Sequence, residues 1–339
     1  MAEKKKNIVK DIIKYTLMFI LAGVLVYFAF RKVHWGEFLA GLRQTRWMWI
    51  VVFCLCSIVA VVLRLFRWRE LLIPFDPDVK SIRIWDAINV GNLASVALPG
   101  VGELLRCAYV TNKKIEYDKS VGTMFCERLW DAMALILLTI LALAFGWSRF
   151  GDYFMDNVIH PLLANRLFWW ILGIVVVAIA TFVIIVMRLR EKSPVFTKIA
   201  DSLTRLWAGI TVFTKSKNKA LVAGSTLMIW TMYTVMCYCI FKAMPMLEGM
   251  DMVDALFISM VGNAASVVPV PGSIGAYHYL VAASIGIYGH SWDIGILYAT
   301  LNHEIHSIVV CTLGVISYFH SIGWRKSQKA ANADGQVNE

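Results

Sequence analysis

Charge is scarce in this chain: Asp, Glu, Lys and Arg make up 17% of its 339 residues, against about a quarter in an ordinary soluble domain. So little charge beside so much apolar sequence excludes a disordered or collagen-like chain. The seven cysteines are scattered through apolar segments and do not form the framework of a disulfide-stapled secreted domain. A nucleotide-binding glycine loop is missing, and no cofactor is expected. His303-Glu304-Ile305-His306 lacks the spacing of the metalloprotease helix motif, which needs two residues between the Glu and the second His, so no metal is expected either.

Apolar residues are what the chain has in quantity. They reach 59%, with a mean hydropathy of +0.64, and this implies a polytopic membrane protein. The net charge of +10 then belongs to loops, where it orients the chain and attracts anionic lipid heads. Runs long enough to cross a hydrocarbon core of about 30 Å lie at 15–30, 47–63, 121–147, 167–187, 221–241 and 293–320, six spans in all. Two further apolar stretches, 85–110 and 254–288, are each interrupted by a Pro-Gly step, Pro99-Gly100 and Pro271-Gly272. Proline removes a backbone donor and glycine admits left-handed dihedrals, so neither stretch reads as one straight helix.

Positive charge favours reading both broken stretches as re-entrant hairpins. With the basic N-terminus 1–14 in the cytoplasm, two hairpins put the basic segment 188–219 on the cytoplasmic side, as the positive-inside rule asks. Residues 194–214 alternate apolar and charged side chains at helical spacing and predict an amphipathic helix, on the membrane face or against the protein's own loops. The polar residues 321–339 are expected to form a cytoplasmic tail without regular structure.

The broken stretches resemble each other. In both, Gly-Asn (Gly91-Asn92, Gly262-Asn263) precedes Ser-Val, then Pro-Gly and a further Gly. Trp47 and Lys219 open the preceding spans, Val121 and Asp293 the following ones, and each pair is 172 residues apart. The unit of span, hairpin and span thus occurs twice, at 47–147 and 219–320. Residues 15–46 and 148–218, with the span 167–187, are peripheral additions. By the charge-derived orientation the repeat is inverted, a design that lets two related units exchange inward-open and outward-open states around a midplane site. The two tips are expected to meet there and line a cavity, because irregular backbone at membrane depth needs polar surroundings. Half-helices starting after Gly100 and Gly272 would aim their N-terminal amides into it.

Charges at membrane depth cost about 2.5 to 3.5 kcal/mol each on insertion scales, and here they cluster beside the hairpins. Glu103 and Arg106 follow the first tip; Glu127, Arg128 and Asp131 begin the next span. His278, His303, Glu304 and His306 occupy related places in the second unit. Two readings stand side by side. The charges pair with one another and hold the hairpins in place, or Arg106 and Arg128 take an anionic head while the carboxylates orient them. Candidate site residues are therefore Arg106, Arg128, Glu103, Glu127, Asp131, Asn92, Asn263, His278 and Glu304, with Pro99, Gly100, Pro271 and Gly272 as the tips. Arg64, Arg67 and Arg69 read as anchors at the membrane interface or as contacts to lipid heads.

Four segments carry a family resemblance: Arg64 to Leu71 (RLFRWREL), Asn92 through Pro99 to Gly102-Glu103 and Arg106, Glu127-Arg128-Leu129-Trp130-Asp131, and Pro271-Gly272-Ser273-Ile274-Gly275. In these the chain resembles the lysylphosphatidylglycerol synthase transmembrane, or flippase-like, family, which includes the N-terminal membrane domain of the multiple peptide resistance factor. The resemblance implies a domain that moves a phospholipid or polyprenyl-linked head between leaflets of a bacterial cytoplasmic membrane, with two re-entrant hairpins meeting at the midplane. It departs from many relatives in having Gly100 and Val101 where they carry an Arg, and His278 where they often carry an acid. No aminoacyl-transferase domain follows, so synthase activity is not expected.

Three functions remain open at this point. One is a flippase or transporter for an anionic phospholipid or polyprenyl-phosphate-linked lipid. Another is a membrane-embedded enzyme acting on lipid-linked phosphate, with Glu103, Glu127 and His278 as acid-base candidates. The third is a partner subunit for a separately encoded lipid-modifying enzyme. The partners expected are anionic membrane lipids and no nucleic acid.

Overall fold

The computed structural model of the protein describes residues 16, 20–98, 100–190, 194–265, 268 and 270–336. The basic N-terminus, the tip residue Pro99, and Ser266, Val267 and Pro269 near the second tip lie outside the described residues. All regular structure among the described residues is helical. After α1 (Ile20–Phe30) and α2 (Trp35–Arg43), the first repeat unit comprises α3 (Trp47–Leu72), α4 (Ser81–Ala97), α5 (Val101–Val110) and α6 (Tyr117–Phe154). A short α7 (His160–Ala164), α8 (Arg166–Arg188) and α9 (Pro194–Ile210) lead to the second unit of α10 (Lys219–Ala243), α11 (Met252–Ala265), α12 (Ala276–Gly286) and α13 (Trp292–Gln336). The protein is thus all-α and membrane-embedded, with α3, α6, α8, α10 and residues 292–323 of α13 long and apolar enough to cross a bilayer.

Two boundaries differ most from the hydropathy reading. The second span does not stop at residue 63 but continues through Arg64, Arg67 and Arg69 to Leu72, and Arg64 and Arg67 find partners inside the protein. Helix α13 runs on to Gln336, where a tail without regular structure was expected; lysine, alanine and glutamine in that segment are good helix formers and suffice without an apolar face.

Both units have the same order of elements, and their opening helices run antiparallel along their full lengths. At one end the Arg46 amide donates to the Ala243 carbonyl at 2.8 Å. At the other, Glu70 Oε1 accepts from Ser216 and from the Asn218 amide, each at 3.0 Å. The main core lies along this pair, where Phe53, Ile240, Phe241 and Ile258 are buried with Tyr298. Packing across the units is reciprocal: α4 lies against α13, and α11 against α6. Helix α8 keeps nearly all of its apolar surface outward, as the peripheral span should.

The first broken stretch turns back on itself. Gly100 takes the left-handed conformation (φ +77°) between α4 and α5, and the helices then meet so closely that a side chain on Gly102 would overlap the Gly91 carbonyl. In the second stretch Gly262 faces the Tyr277 ring in the same manner. Gly272 (φ +56°), Ser273 (φ +58°) and Gly275 (φ +83°) are all left-handed there, so a 3-10 turn at Pro271–Ser273 delays the helix. The second half-helix therefore starts after Gly275, not after Gly272 as the repeat suggested. The backbone at Gly275 lies against Leu25 and Val26 of α1, so a peripheral helix covers this start.

The amphipathic helix forms as α9 and ends in a 3-10 turn at Thr211–Lys215. It packs on the first turns of α6, with Gly209 against Gly122 and Asp118 accepting from Ser202 (2.7 Å) and Arg205 (3.1 Å). Trp207 is exposed.

Candidate functional site

Three helices of the first unit deliver charge to one place. Helix α3 carries Arg64 and Arg67 one turn apart, α5 carries Glu103 and Arg106 at the same spacing, and α6 carries Glu127, Arg128 and Asp131. Arg67 is 1% exposed. Its Nε lies 3.2 Å from Glu127 Oε1 and its Nη1 2.6 Å from Asp131 Oδ1, with Thr226 Oγ1 of α10 accepting at 3.2 Å. Arg106 is equally buried. Its Nη2 is 2.7 Å from both Glu103 Oε2 and Glu127 Oε2, and its guanidinium stacks 4.6 Å over the Trp68 ring. Glu127, with no exposed surface, is thus clamped between two guanidiniums.

The remaining two arginines are nearer open space. Arg64 Nη1 donates to Asn92 Oδ1 at 3.2 Å and its Nη2 is 3.9 Å from Glu103 Oε1. Arg128 Nη2 lies 3.0 Å from Asp131 Oδ2, and its side chain keeps 44% of its surface exposed. In sum four guanidiniums, Arg64, Arg67, Arg106 and Arg128, face three carboxylates, Glu103, Glu127 and Asp131. One positive charge is left over.

That surplus faces a cavity of about 530 Å³ whose walls include Arg64, Arg128, Asp131, Tyr233, Asn92 and Asn263. The two asparagines, equivalent in the repeat, come from opposite units and line the same space. A second cavity, of about 240 Å³, shares Arg64, Asn92 and Tyr233 and reaches Gly272, His303 and His306. A third, of about 200 Å³, lies between Tyr233, Asn263, Tyr277 and His306. Tyr233 belongs to all three. The tips do approach each other: the 3-10 turn packs on α4, with Gly272 beside the Val96 carbonyl.

Arg106 and Glu127 stand behind the walls of these cavities and line none of the three. Arg64 and Arg67, read from sequence as interface anchors, both belong to the wall of the cavity of about 530 Å³, with Arg67 almost fully buried in it. Burial inside the protein overturns the anchor reading for Arg67: its partners, 60 and 64 residues away on α6, satisfy it without lipid heads. No local signal in α3 announces this: Arg64 and Arg67 stand three residues apart and the α6 carboxylates Glu127 and Asp131 four, and both carboxylates go to Arg67. At the first tip, Glu103 occupies the opening turn of α5, so a carboxylate already answers the helix dipole there. What stays open to the cavity on this side is side-chain charge, not a bare helix end.

This arrangement of charges around paired broken helices spans most of the chain, and so does its relationship to known proteins: residues 15–314 match the family described as the lysylphosphatidylglycerol synthase TM region. The chain belongs to that family. No curated protein and no solved structure matches it. Membership in the lysylphosphatidylglycerol synthase TM region family makes the protein an integral membrane protein with a lipid-related role.

In the second unit, the residues at related places form a smaller cluster. His278 on α12 is 2% exposed, and its Nδ1 has no hydrogen-bonding partner. His303 Nε2 lies 2.7 Å from the Gly272 carbonyl, and its Nδ1 lies 3.0 Å from Glu304 Oε1. Glu304 Oε1 is also 3.7 Å from His278 Nε2. No fourth His, Cys, Asp or Glu joins these three among the described residues. Asn263 donates to the Ser259 carbonyl at 2.8 Å, and His306 Nδ1 is 3.0 Å from Ser57 Oγ.

Proposed function

We propose that the protein moves an anionic lipid between leaflets, passing the headgroup through the cavities where the two units meet. The observation that supports this most is Arg128. Every other arginine of the cluster is mostly buried and held, whereas Arg128 is nearly half exposed on a cavity wall and has one carboxylate partner, which Arg67 also satisfies. Its guanidinium is free to give a phosphate two parallel hydrogen bonds. The surplus positive charge makes an anion the natural occupant, because an unbalanced charge at membrane depth is costly until it is paired.

The repeat supplies the movement. Its units open with antiparallel helices and pack reciprocally, so exchanging their conformations would open the same site to either side. The distribution of Lys and Arg orients the N- and C-termini to the cytoplasm, and a bacterial cytoplasmic membrane is the setting this reading assigns. Leaflet exchange of fluorescent phosphatidylglycerol in proteoliposomes tests it. Arg128→Ala is expected to slow exchange by at least about tenfold, the loss of one charge-assisted contact, while its thermal melting stays within a degree or so of the wild type. Unchanged exchange would remove Arg128 from the path. A chemically altered lipid in those vesicles would point to an enzyme instead.

A further inference from the structure

The contacts of His303 pose an electrostatic problem whose solution is informative. A carbonyl oxygen only accepts hydrogen bonds, so the 2.7 Å contact with Gly272 requires the hydrogen of His303 on Nε2. In the neutral ring Nδ1 then carries a lone pair, and this lone pair faces Glu304 Oε1 at 3.0 Å. Two acceptors at hydrogen-bonding distance repel unless a positive charge sits between them. A proton resolves this, giving an imidazolium–carboxylate pair or a neutral ring accepting from a protonated acid. His278, with Nε2 3.7 Å from the same oxygen and an unpartnered Nδ1, is a second base for that proton.

The location links this proton to the lipid site. His303 and Arg64 line the same cavity, and Arg64 also belongs to the arginine cluster. That cluster is one positive charge in surplus; an ionised Glu304, held against the cavity-lining His303, offsets the surplus, and a proton on the His303–Glu304 pair restores it. We propose that the His303–Glu304 pair, with His278 beside it, takes up one proton together with the lipid anion. The proposal rests on the lipid reading above and adds a coupling ion to it. Proton and anion favour each other because each lowers the electrostatic cost of the other in a poorly solvated space. The contact to Gly272 also connects the protonation state to the second tip, the element that alternate access must move.

Among the described residues, few other titratable or charged groups surround the pair. They are Tyr277, whose ring lies 5.0 Å from that of His303, His278, His306 one turn along α13, and Arg64 and Tyr233 across the cavity. Phe30 of α1 closes the far side of His278 at 5.3 Å.

Calorimetric titration of the purified protein with short-chain phosphatidylglycerol, in buffers of differing ionisation enthalpy, counts protons taken up per lipid bound. The wild type is expected to take up about one, and its affinity to weaken by up to about tenfold per pH unit on the alkaline side. In Glu304→Gln the count per bound lipid should fall to near zero and the pH dependence should flatten. Wild-type binding with no proton uptake overturns the proposal and leaves the lipid reading standing, and it decides the case even if that variant does not fold. An undiminished proton count in Glu304→Gln also overturns it, as does a stoichiometric transition metal found by elemental analysis of the purified wild type. Absence of any lipid binding by the wild type sinks both readings.

Discussion

Replacing Glu127 with Ala is expected to destabilise the fold by about 3–5 kcal/mol, the typical consequence of breaking a buried ion pair on one side. Glu127 is fully buried and is shared by Arg67 and Arg106, so its loss leaves two guanidiniums, each 1% exposed, short of a counter-charge. Both would be driven toward new partners, and α5 and α6 would separate to admit water. Thermal unfolding of the detergent-purified variant, followed by tryptophan fluorescence, measures the effect, with Trp68 beside Arg106 as a local reporter. Combining Glu127→Leu with Arg67→Met is expected to recover most of the loss. In that double variant Arg106 keeps Glu103 at 2.7 Å and Asp131 keeps Arg128 at 3.0 Å, so no charge is stranded. A Glu127→Ala protein that melts like the wild type would mean that the cluster is hydrated and that the pairs contribute little.

The second large effect is steric. Gly102→Val is expected to prevent the first hairpin from closing, at a cost of about 3 kcal/mol or more, at or beyond the upper end for overpacking. What a Cβ on Gly102 meets is the Gly91 backbone carbonyl and the Ser95 hydroxyl, and backbone cannot move aside as a flexible side chain does. Because Glu103 and Arg106 follow within a turn, displacing α5 also dismantles the charge cluster, so lipid exchange should fall together with melting temperature. Gly224→Ala is the control. Nothing lies near that position on α10, and alanine should be neutral or gain up to about 1 kcal/mol in helix propensity. If Gly102→Val melts with Gly224→Ala, the close approach of α4 and α5 is not a constraint on the fold.

Local chemistry made a good part of this legible in the sequence. The Pro-Gly steps mark breaks because their dihedral preferences act within a few residues; Gly100 and Gly272 are both left-handed. Neighbours one helical turn apart follow from spacing alone, and Arg106 lies 2.7 Å from Glu103 and Arg128 3.0 Å from Asp131. Internal pairing holds for the enclosed arginines of the cluster, and the proposed site rests on the open one. Arg106 is paired and enclosed, whereas Arg128 is paired on one side and open on the other.

Arg67 was misread for a physical reason. A hydropathy window ends a span at the first charges, and Arg64, Arg67 and Arg69 then look like interface anchors. What keeps Arg67 inside is Glu127 and Asp131 on another helix, and no property of α3 announces them. The late start of the second half-helix was hidden similarly. Residues 271–275 align with the first tip as letters, but the left-handed Ser273 and Gly275 and the approach of α1 at Leu25 and Val26 set where regular structure resumes.

The sequence by itself determined that the protein lies in a membrane, that two stretches break at related positions, and that charged residues gather beside those breaks. These are matters of transfer free energy and backbone dihedrals, and both act over short spans of chain. Only the tertiary structure decided which guanidinium faces the cavity, that Asn92 and Asn263 line the same space, and that His303 is held between the Gly272 carbonyl and Glu304. Those outcomes depend on helices far apart in the chain coming together, where burial leaves each charge to find its partner within a few ångströms.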